Sequence, residues 1–331
     1  MKLEKLWKRG TDFLGSKYAI LGGAMSWISE SNLVSAISNA GGFGVIACGS
    51  MNPEMLSSEI AKTQKKTSKP FGVNLITMHP QLNELIDVTI NLKVTHVVLA
   101  GGLPKSDHIK KLKDNNIKVI CFAPALVIAK RLIRNGVDAI VIEGMEAGGH
   151  IGPVSTSVLA QEILPEIKEV PVFVAGGIGR GEAIAQYLRQ GAAGCQLGTR
   201  FVCGEECIAH ENFKNLFIKS SAKDAKVSVQ VDPNFPVIPV RAIENEASKK
   251  FAQSQVDTIK RYLAGELDKE QAQLEIEHFW AGALKKAVID GDITHGSVMA
   301  GQSVGLVKKI QPVKEIIEEL VSQAEKSLED V

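Results

Sequence analysis

Short apolar runs return at fairly even spacing along the chain: Tyr18 to Gly23, Phe43 to Cys48, Phe71 to Thr77, Val94 to Ala100, Lys118 to Ala123, Asp138 to Gly144, Val170 to Gly177 and Gly194 to Phe201. They are nearly continuous in Val, Ile, Leu and Ala, without polar alternation. That is the pattern of strands covered on both faces in a parallel sheet. Helical patterns lie between them, such as Asn32 to Asn39 before Gly41, Asp107 to Asn115, Val127 to Asn135 before Gly136, and Gly181 to Gln190 before Gly191. A glycine just past the last helical residue supplies a left-handed cap. Eight strand-helix units predict an α/β fold, a (β/α)8 TIM barrel, with an open doubly wound sheet as the alternative.

The rhythm breaks after Phe201. From Glu206 to about His295 the pattern is mostly helical, clearest at Gln253 to Leu263 and Lys269 to Ile289, with a looser stretch around Asp232-Pro233-Asn234-Phe235-Pro236. Residues 206–295 are expected to form a smaller lid domain over the barrel mouth, with 1–205 and 296–331 building the barrel. In the tail, Val313, Ile316, Ile317, Leu320, Val321, Ala324 and Leu328 recur at helical spacing. That stripe predicts a helix packed on the outside of the barrel.

Composition leaves this picture standing and removes others. A chain of 331 residues, 45% hydrophobic, can bury one large core or one core plus a small appended domain. Thirty-eight basic against thirty-seven acidic residues leave a formal charge of +1, so no chain-wide field favours nucleic acid or an anionic membrane. No apolar run approaches the roughly 20 residues that cross a bilayer. Met1 to Arg9 lacks the apolar core of a signal peptide, and a cytoplasmic location is the expectation. The cysteines Cys48, Cys121, Cys195, Cys203 and Cys207 are odd in number, which fits reduced thiols. Cys203 and Cys207 alone are too few for a four-cysteine cluster, and no metal site is expected.

The candidate chemistry gathers at strand ends. Asp138 to Ile142 closes with Glu143-Gly144-Met145-Glu146-Ala147-Gly148-Gly149-His150, where paired glycines let backbone approach a flat ligand and His150 reaches the rim of a pocket. The seventh run ends Ala175-Gly176-Gly177-Ile178-Gly179 before a helix starting near Gly181, and the eighth ends Gln196-Leu197-Gly198-Thr199-Arg200. In a (β/α)8 barrel these are the positions that hold phosphate, on backbone N–H groups aided by a helix N-terminus. Gly22-Gly23-Ala24-Met25 after the first run and Asn74 within the third are further cofactor-facing candidates. An amide in an apolar strand needs a buried partner, either ligand or loop.

Together, Glu143 to Gly152, the Ala175 to Ile178 turn, Gln196 to Phe201 and Gly296-Ser297-Val298-Met299-Ala300-Gly301-Gln302 resemble the nitronate monooxygenase/enoyl-ACP reductase II flavoprotein family. The likeness spans nearly the whole chain. Ala283-Leu284-Lys285-Lys286-Ala287, Asp290-Gly291-Asp292 and Pro239-Val240-Arg241-Ala242-Ile243 are similar to the enoyl-ACP reductase branch in particular. The resemblance implies an FMN-binding barrel that reduces trans-2-enoyl groups on acyl carrier protein, with NADH or NADPH as co-substrate, in fatty-acid elongation. It implies the flavin ring against Gly23, Ala24, Met25, Asn74, Glu143, Met299, Ala300 and Gln302, with Gly148 and Gly149 in the same loop system. The phosphate falls on Gly176, Gly177, Gln196, Gly198 and Thr199, the catalytic position on His150, and a homodimer fits the family.

An imidazole suits proton delivery or hydrogen bonding to a carbonyl near neutral pH. The other histidines, His79, His96, His108, His210, His278 and His295, follow no such motif, and they are read as surface or structural residues. The chain departs from the family where the first strand usually enters with proline and ends Gln-Gly-Gly-Met. Here Ala19 and Gly22-Gly23-Ala24-Met25 stand instead, which is expected to alter the floor beneath flavin or substrate. The alternative activity is oxidation of alkyl nitronates with FMN and O2, with the same histidine as base. A flavin-binding module without turnover and a nonredox sugar-phosphate barrel enzyme are more distant readings.

Overall fold

The computed structural model describes residues 2–232 and 237–329; Pro233 to Pro236 of the loose stretch lie outside the described residues. Six strands come first, β1 (Ile20–Gly22), β2 (Val45–Ala47), β3 (Gly72–Ile76), β4 (His96–Ala100), β5 (Lys118–Phe122) and β6 (Ala139–Glu143). A two-residue strand β7 (Gly149–His150) leaves the wall, and β8 (Val172–Ala175) and β9 (Gly194–Leu197) complete it. All eight wall strands are parallel, in the order β1-β9-β8-β6-β5-β4-β3-β2. Closure comes from a parallel bridge between Leu21 and Phe43, where the Gly22 and Phe43 N–H groups donate to Phe43 and Ile20 carbonyls at 2.9 Å. The fold is the expected (β/α)8 barrel, and every apolar run supplies one wall strand.

The eighth run is shorter than its apolar pattern suggests. The strand stops at Leu197, and Thr199–Phe201 turns into a 3-10 helix whose Phe201 N–H donates to the Gly198 carbonyl at 2.9 Å. Phe201 is apolar because it is fully buried, and burial alone does not distinguish strand from turn.

Helices α2 (Ser31–Asn39), α3 (Pro53–Lys66), α4 (Leu82–Asn91), α5 (Ser106–Asp114), α6 (Leu126–Arg134), α7 (Thr156–Ile163) and α8 (Gly181–Arg189) wrap the wall. A preceding helix, α1 (Lys2–Leu14), buries Leu3, Trp7, Gly10 and Leu14, spacings of 4, 3 and 4 that place them on one face. It packs at the N-terminal end of the barrel, where a Cβ on Gly10 would lie 2.1 Å from the Ala193 carbonyl oxygen.

After the barrel come α9 (Glu211–Lys219), the antiparallel pair β10 (Ala225–Val227) and β11 (Val240–Ile243), α10 (Glu246–Leu263), α11 (Lys269–Val288), the short strand β12 (Val298–Met299) and α12 (Val313–Glu329). The two strands of the hairpin were not visible as periodicity, being only 3 and 4 residues long. α9 sends Phe213 and Phe217 into the main core, whereas Val240, Phe251, Ile259, Ala272, Ile276 and Trp280 form a separate small core. Phe251 and Trp280 meet there at a tilt with ring centroids 4.1 Å apart, each ring contributing about 1.5–3 kcal/mol by burial. The stripe of α12 is buried as its spacing predicts, against α8, α2 and α1.

Candidate active site

The loop after β6 is built into a sheet. β7 pairs antiparallel with β11, setting His150 opposite Val240 and Gly149 opposite Arg241, and β11 pairs on its other register with β12, setting Ala242 opposite Met299. Three segments distant in sequence thus meet at the C-terminal mouth of the barrel. Gly149 takes a φ of +77°, which a side chain would strain, and a Cβ on Gly148 would come within 2.5 Å of the Gly301 nitrogen. These glycines let the loop lie directly on the 296–302 segment. Arg241 is 3% exposed and braces the loop from behind, donating from Nε to the Met145 carbonyl at 3.0 Å and from Nη1 to the Ala225 carbonyl at 2.6 Å.

His150 is exposed at this mouth, with Glu143 close enough to couple electrostatically to it. Glu143, the last residue of β6, is half-buried as a residue, yet protein surrounds its carboxyl. Desolvation pushes that carboxyl up to about 7, against the opposing pull of His150. Burial thus favours the neutral form of this carboxyl beside an imidazole.

Most of the other expected residues touch one another across the loops that follow the wall strands. The Gly23 N–H donates to the Leu197 carbonyl at 2.8 Å. A Cβ on Gly23 would sit 3.6 Å from the Gln196 Nε2, and one on Gly198 would sit 3.4 Å from the Met25 sulfur. Thr199 Oγ1 accepts from the Gly301 N–H at 3.0 Å, and the Gln302 N–H donates to the Glu146 carbonyl at 2.9 Å. Ala300 is buried beside Gly148, and Met299 lies against Gly149. Ala24 packs on the barrel core at the start of the same loop as Met25. Asn74 comes from the wall strand β3, 6% exposed, and its Nδ2 donates to the Val98 carbonyl at 3.1 Å. Its buried partner is thus a neighbouring strand.

Gly176 and Gly177 have φ of +96° and +72° and border a cavity of about 450 Å³ with Glu146, Ile178, Tyr187 and Gln302. A separate, larger groove of about 710 Å³ lies outside the barrel between α2 and the start of α12, and no mouth residue lines it. Among the described residues, no acceptor within the chain engages the backbone N–H groups of Gly177, Ile178 or Thr199. Three such donors on two adjoining loops suit a phosphate. The helix N-terminus contributes less than expected, because the Gly181 N–H already donates to Gln323 Oε1 at 2.8 Å.

A family model described as nitronate monooxygenase matches residues 8–323. The chain belongs to the nitronate monooxygenase family. It is 30% identical to the (3aS,4S,5R,7aS)-5-hydroxy-7a-methyl-1-oxo-octahydro-1H-indene-4-carboxyl-CoA dehydrogenase of Rhodococcus jostii over 96% of each chain. It is 29% identical to a probable nitronate monooxygenase of Staphylococcus saprophyticus, covering 97% of this chain and 98% of that one. Among solved structures, FabK from Thermotoga maritima aligns over 97% of both chains with a TM-score of 0.87 and 36% identity. Nitroalkane oxidase from Streptomyces ansochromogenes, 22% identical with a TM-score of 0.80 over 97% of this chain and 99% of that one, shares the fold. As a member of the nitronate monooxygenase family the protein is a flavin-dependent oxidoreductase.

Sequence reasoning missed Thr156 and Ser29. Thr156, first residue of α7, donates from both N and Oγ1 to Glu146 Oε2 at 2.9 Å, locking a carboxylate that the motif had shown without a role. Ser29 Oγ ties the loop after β1 by donating to the Gly23 carbonyl at 2.9 Å and accepting from the Met25 N–H at 3.0 Å. Neither sits in a motif, so only the folded distances expose them. Position 22 is also reassigned in space: a Cβ there would meet the Ile37 side chain of α2 at 2.6 Å. The missing glutamine therefore concerns strand-helix packing on the outside of the wall. No helix among the described residues is long and apolar enough to cross a membrane.

Proposed function

We propose that this protein is an FMN-dependent enoyl-ACP reductase of type II, taking electrons from NADH or NADPH. The observation that carries the reading is the sheet at the mouth. The segment that resembles the enoyl reductase branch, 239–243, holds β11, which pairs at one end with the His150 strand and at the other with β12 of the 296–302 segment. The full-length likeness to FabK, an enoyl-ACP reductase II, supports it from an independent side. So does the Rhodococcus relative, whose substrate name is a CoA thioester.

In this reading Gly176, Gly177, Gln196, Gly198 and Thr199 take the flavin phosphate. Gly23, Ala24, Met25, Asn74, Glu143, Met299, Ala300 and Gln302 border the ring, with Gly148 and Gly149 closing the wall. Bound FMN supplies the hydride that reduces the enoyl β-carbon. His150 donates a hydrogen bond to the thioester carbonyl or delivers the proton to the α-carbon, which its exposed position allows. Glu143, its carboxyl pushed up by burial, would keep negative charge low where the ring binds.

The Staphylococcus relative favours a second reading, nitronate oxidation. Anaerobic mixing separates the two. Rapid bleaching of flavin absorbance by NADH or NADPH, followed by reoxidation on adding a trans-2-enoyl thioester, is the expected result. Flavin that stays oxidised with nicotinamide, yet consumes oxygen when given an alkyl nitronate, would replace the reductase reading with the oxidase.

A further inference from the structure

The two glycine loops at the phosphate candidate are tied together from outside the barrel by one helix. Gln323 of α12 accepts the Gly181 N–H on Oε1 at 2.8 Å, holding the end of the loop that follows β8. Its Nε2 donates to Glu319 Oε1 at 3.1 Å, and Glu319 Oε2 accepts from Arg200 Nη2 at 2.9 Å and from Gln311 Nε2 at 3.4 Å. Arg200 directly follows Thr199 in the loop after β9 and its side chain is only 5% exposed. Glu319 is the carboxylate that neutralises this buried guanidinium among the described residues. The relay Gly181, Gln323, Glu319, Arg200 therefore sets the distance between the loops carrying Gly177 and Thr199. Close packing leaves it little play, since a Cβ on Gly181 would lie 1.9 Å from the Leu320 carbonyl oxygen.

We propose that Glu319 and Gln323 are positioning residues for the flavin phosphate: α12 clamps the two loops at the separation a phosphate needs, although neither side chain belongs to the mouth. This inference rests on the flavin reading above and is independent of which electron acceptor the enzyme uses. Ligand-free protein is titrated with FMN and with riboflavin, which shares the ring and ribityl chain but lacks the phosphate. The wild type should prefer FMN. Glu319→Gln keeps shape and removes the charge, and Gln323→Met keeps bulk and removes both hydrogen bonds. Each should raise the Kd for FMN about tenfold, the equivalent of one lost hydrogen bond, and leave the Kd for riboflavin in place.

Equal weakening of both flavins would show a general structural role and overturn the clamp, as would an unchanged FMN Kd. A wild type with no preference for FMN over riboflavin would remove the phosphate site and the clamp together. If Glu319→Gln leaves Arg200 too poorly compensated to fold, Gln323→Met carries the test, because it leaves that ion pair intact.

Discussion

His96 and His150 stand at opposite ends of the same barrel, and their surroundings make them different chemical objects. His96 opens β4 at the end that α1 covers and is 2% exposed. Its Nε2 pairs with the Phe13 carbonyl at 3.0 Å and its Nδ1 with Thr95 Oγ1 at 2.8 Å, while Phe13 and Phe43 meet its ring edge to face. Burial pushes its pKa down to about 4, so it is a neutral packing residue at physiological pH. His150 leaves the wall on β7 at the glycine-lined end and faces solvent. Parallel barrels build stability at one end and chemistry at the other, and in the function proposed above the same side chain serves each according to what packs over it.

Replacing each histidine should separate these roles. His150→Ala is expected to lower turnover about 100-fold or more, the usual scale of a lost acid-base group, while flavin content and thermal midpoint stay near wild type. Turnover that survives the substitution would remove His150 from the chemistry. His96→Ala should do the reverse. Loss of two ring partners and a packed ring is worth about 2–4 kcal/mol in denaturant unfolding, with turnover per bound flavin retained. A variant as stable as wild type would show that the lower end is not sealed as described.

The glycine floor offers a smaller break. Gly148→Ala forces a methyl toward the Gly301 nitrogen, and the resulting shift of β7 should cost about 1–3 kcal/mol of stability and misplace His150. An active, fully stable variant would argue that the loop stands off the 296–302 segment.

The two ends should also respond to pH with opposite sign. His96 is depressed from 6.5 to about 4, so its contribution is fully present above 6.5 and is lost as pH falls toward 4. Glu143 is raised from 4.5 to about 7, so its contribution is fully present below 4.5 and is lost as pH rises through 7. Denaturant titration of the flavin-free protein should show Glu143→Gln gaining on wild type between pH 4.5 and 7, then holding a constant margin. A margin that does not change with pH would mean that Glu143 is not desolvated.

Much of this was legible beforehand. The eight wall strands were readable because strands buried on both faces have no polar positions to blur the run. The α12 stripe was readable because 3-4 spacing persists along all 17 residues of the helix. Of the site, the glycines and His150 stood out because strand ends in such folds have predictable roles. Thr156, Ser29 and the bracing by Arg241 did not stand out. Each acts through a hydrogen bond to a residue that is remote or unremarkable in sequence, and periodicity carries no trace of such a contact.

What the amino-acid sequence determined by itself was the wall, the order of its strands' glycine-rich ends, and the family to which their motifs point. Local pattern suffices there, since burial on both faces and turn geometry are written residue by residue. Only the tertiary structure decided that β7, β11 and β12 become one sheet around His150, that position 22 faces α2, and that α12 reaches both phosphate-candidate loops. Those features depend on contacts between segments 15 to 142 residues apart, and such contacts exist only once the chain has closed the barrel and brought its ends together.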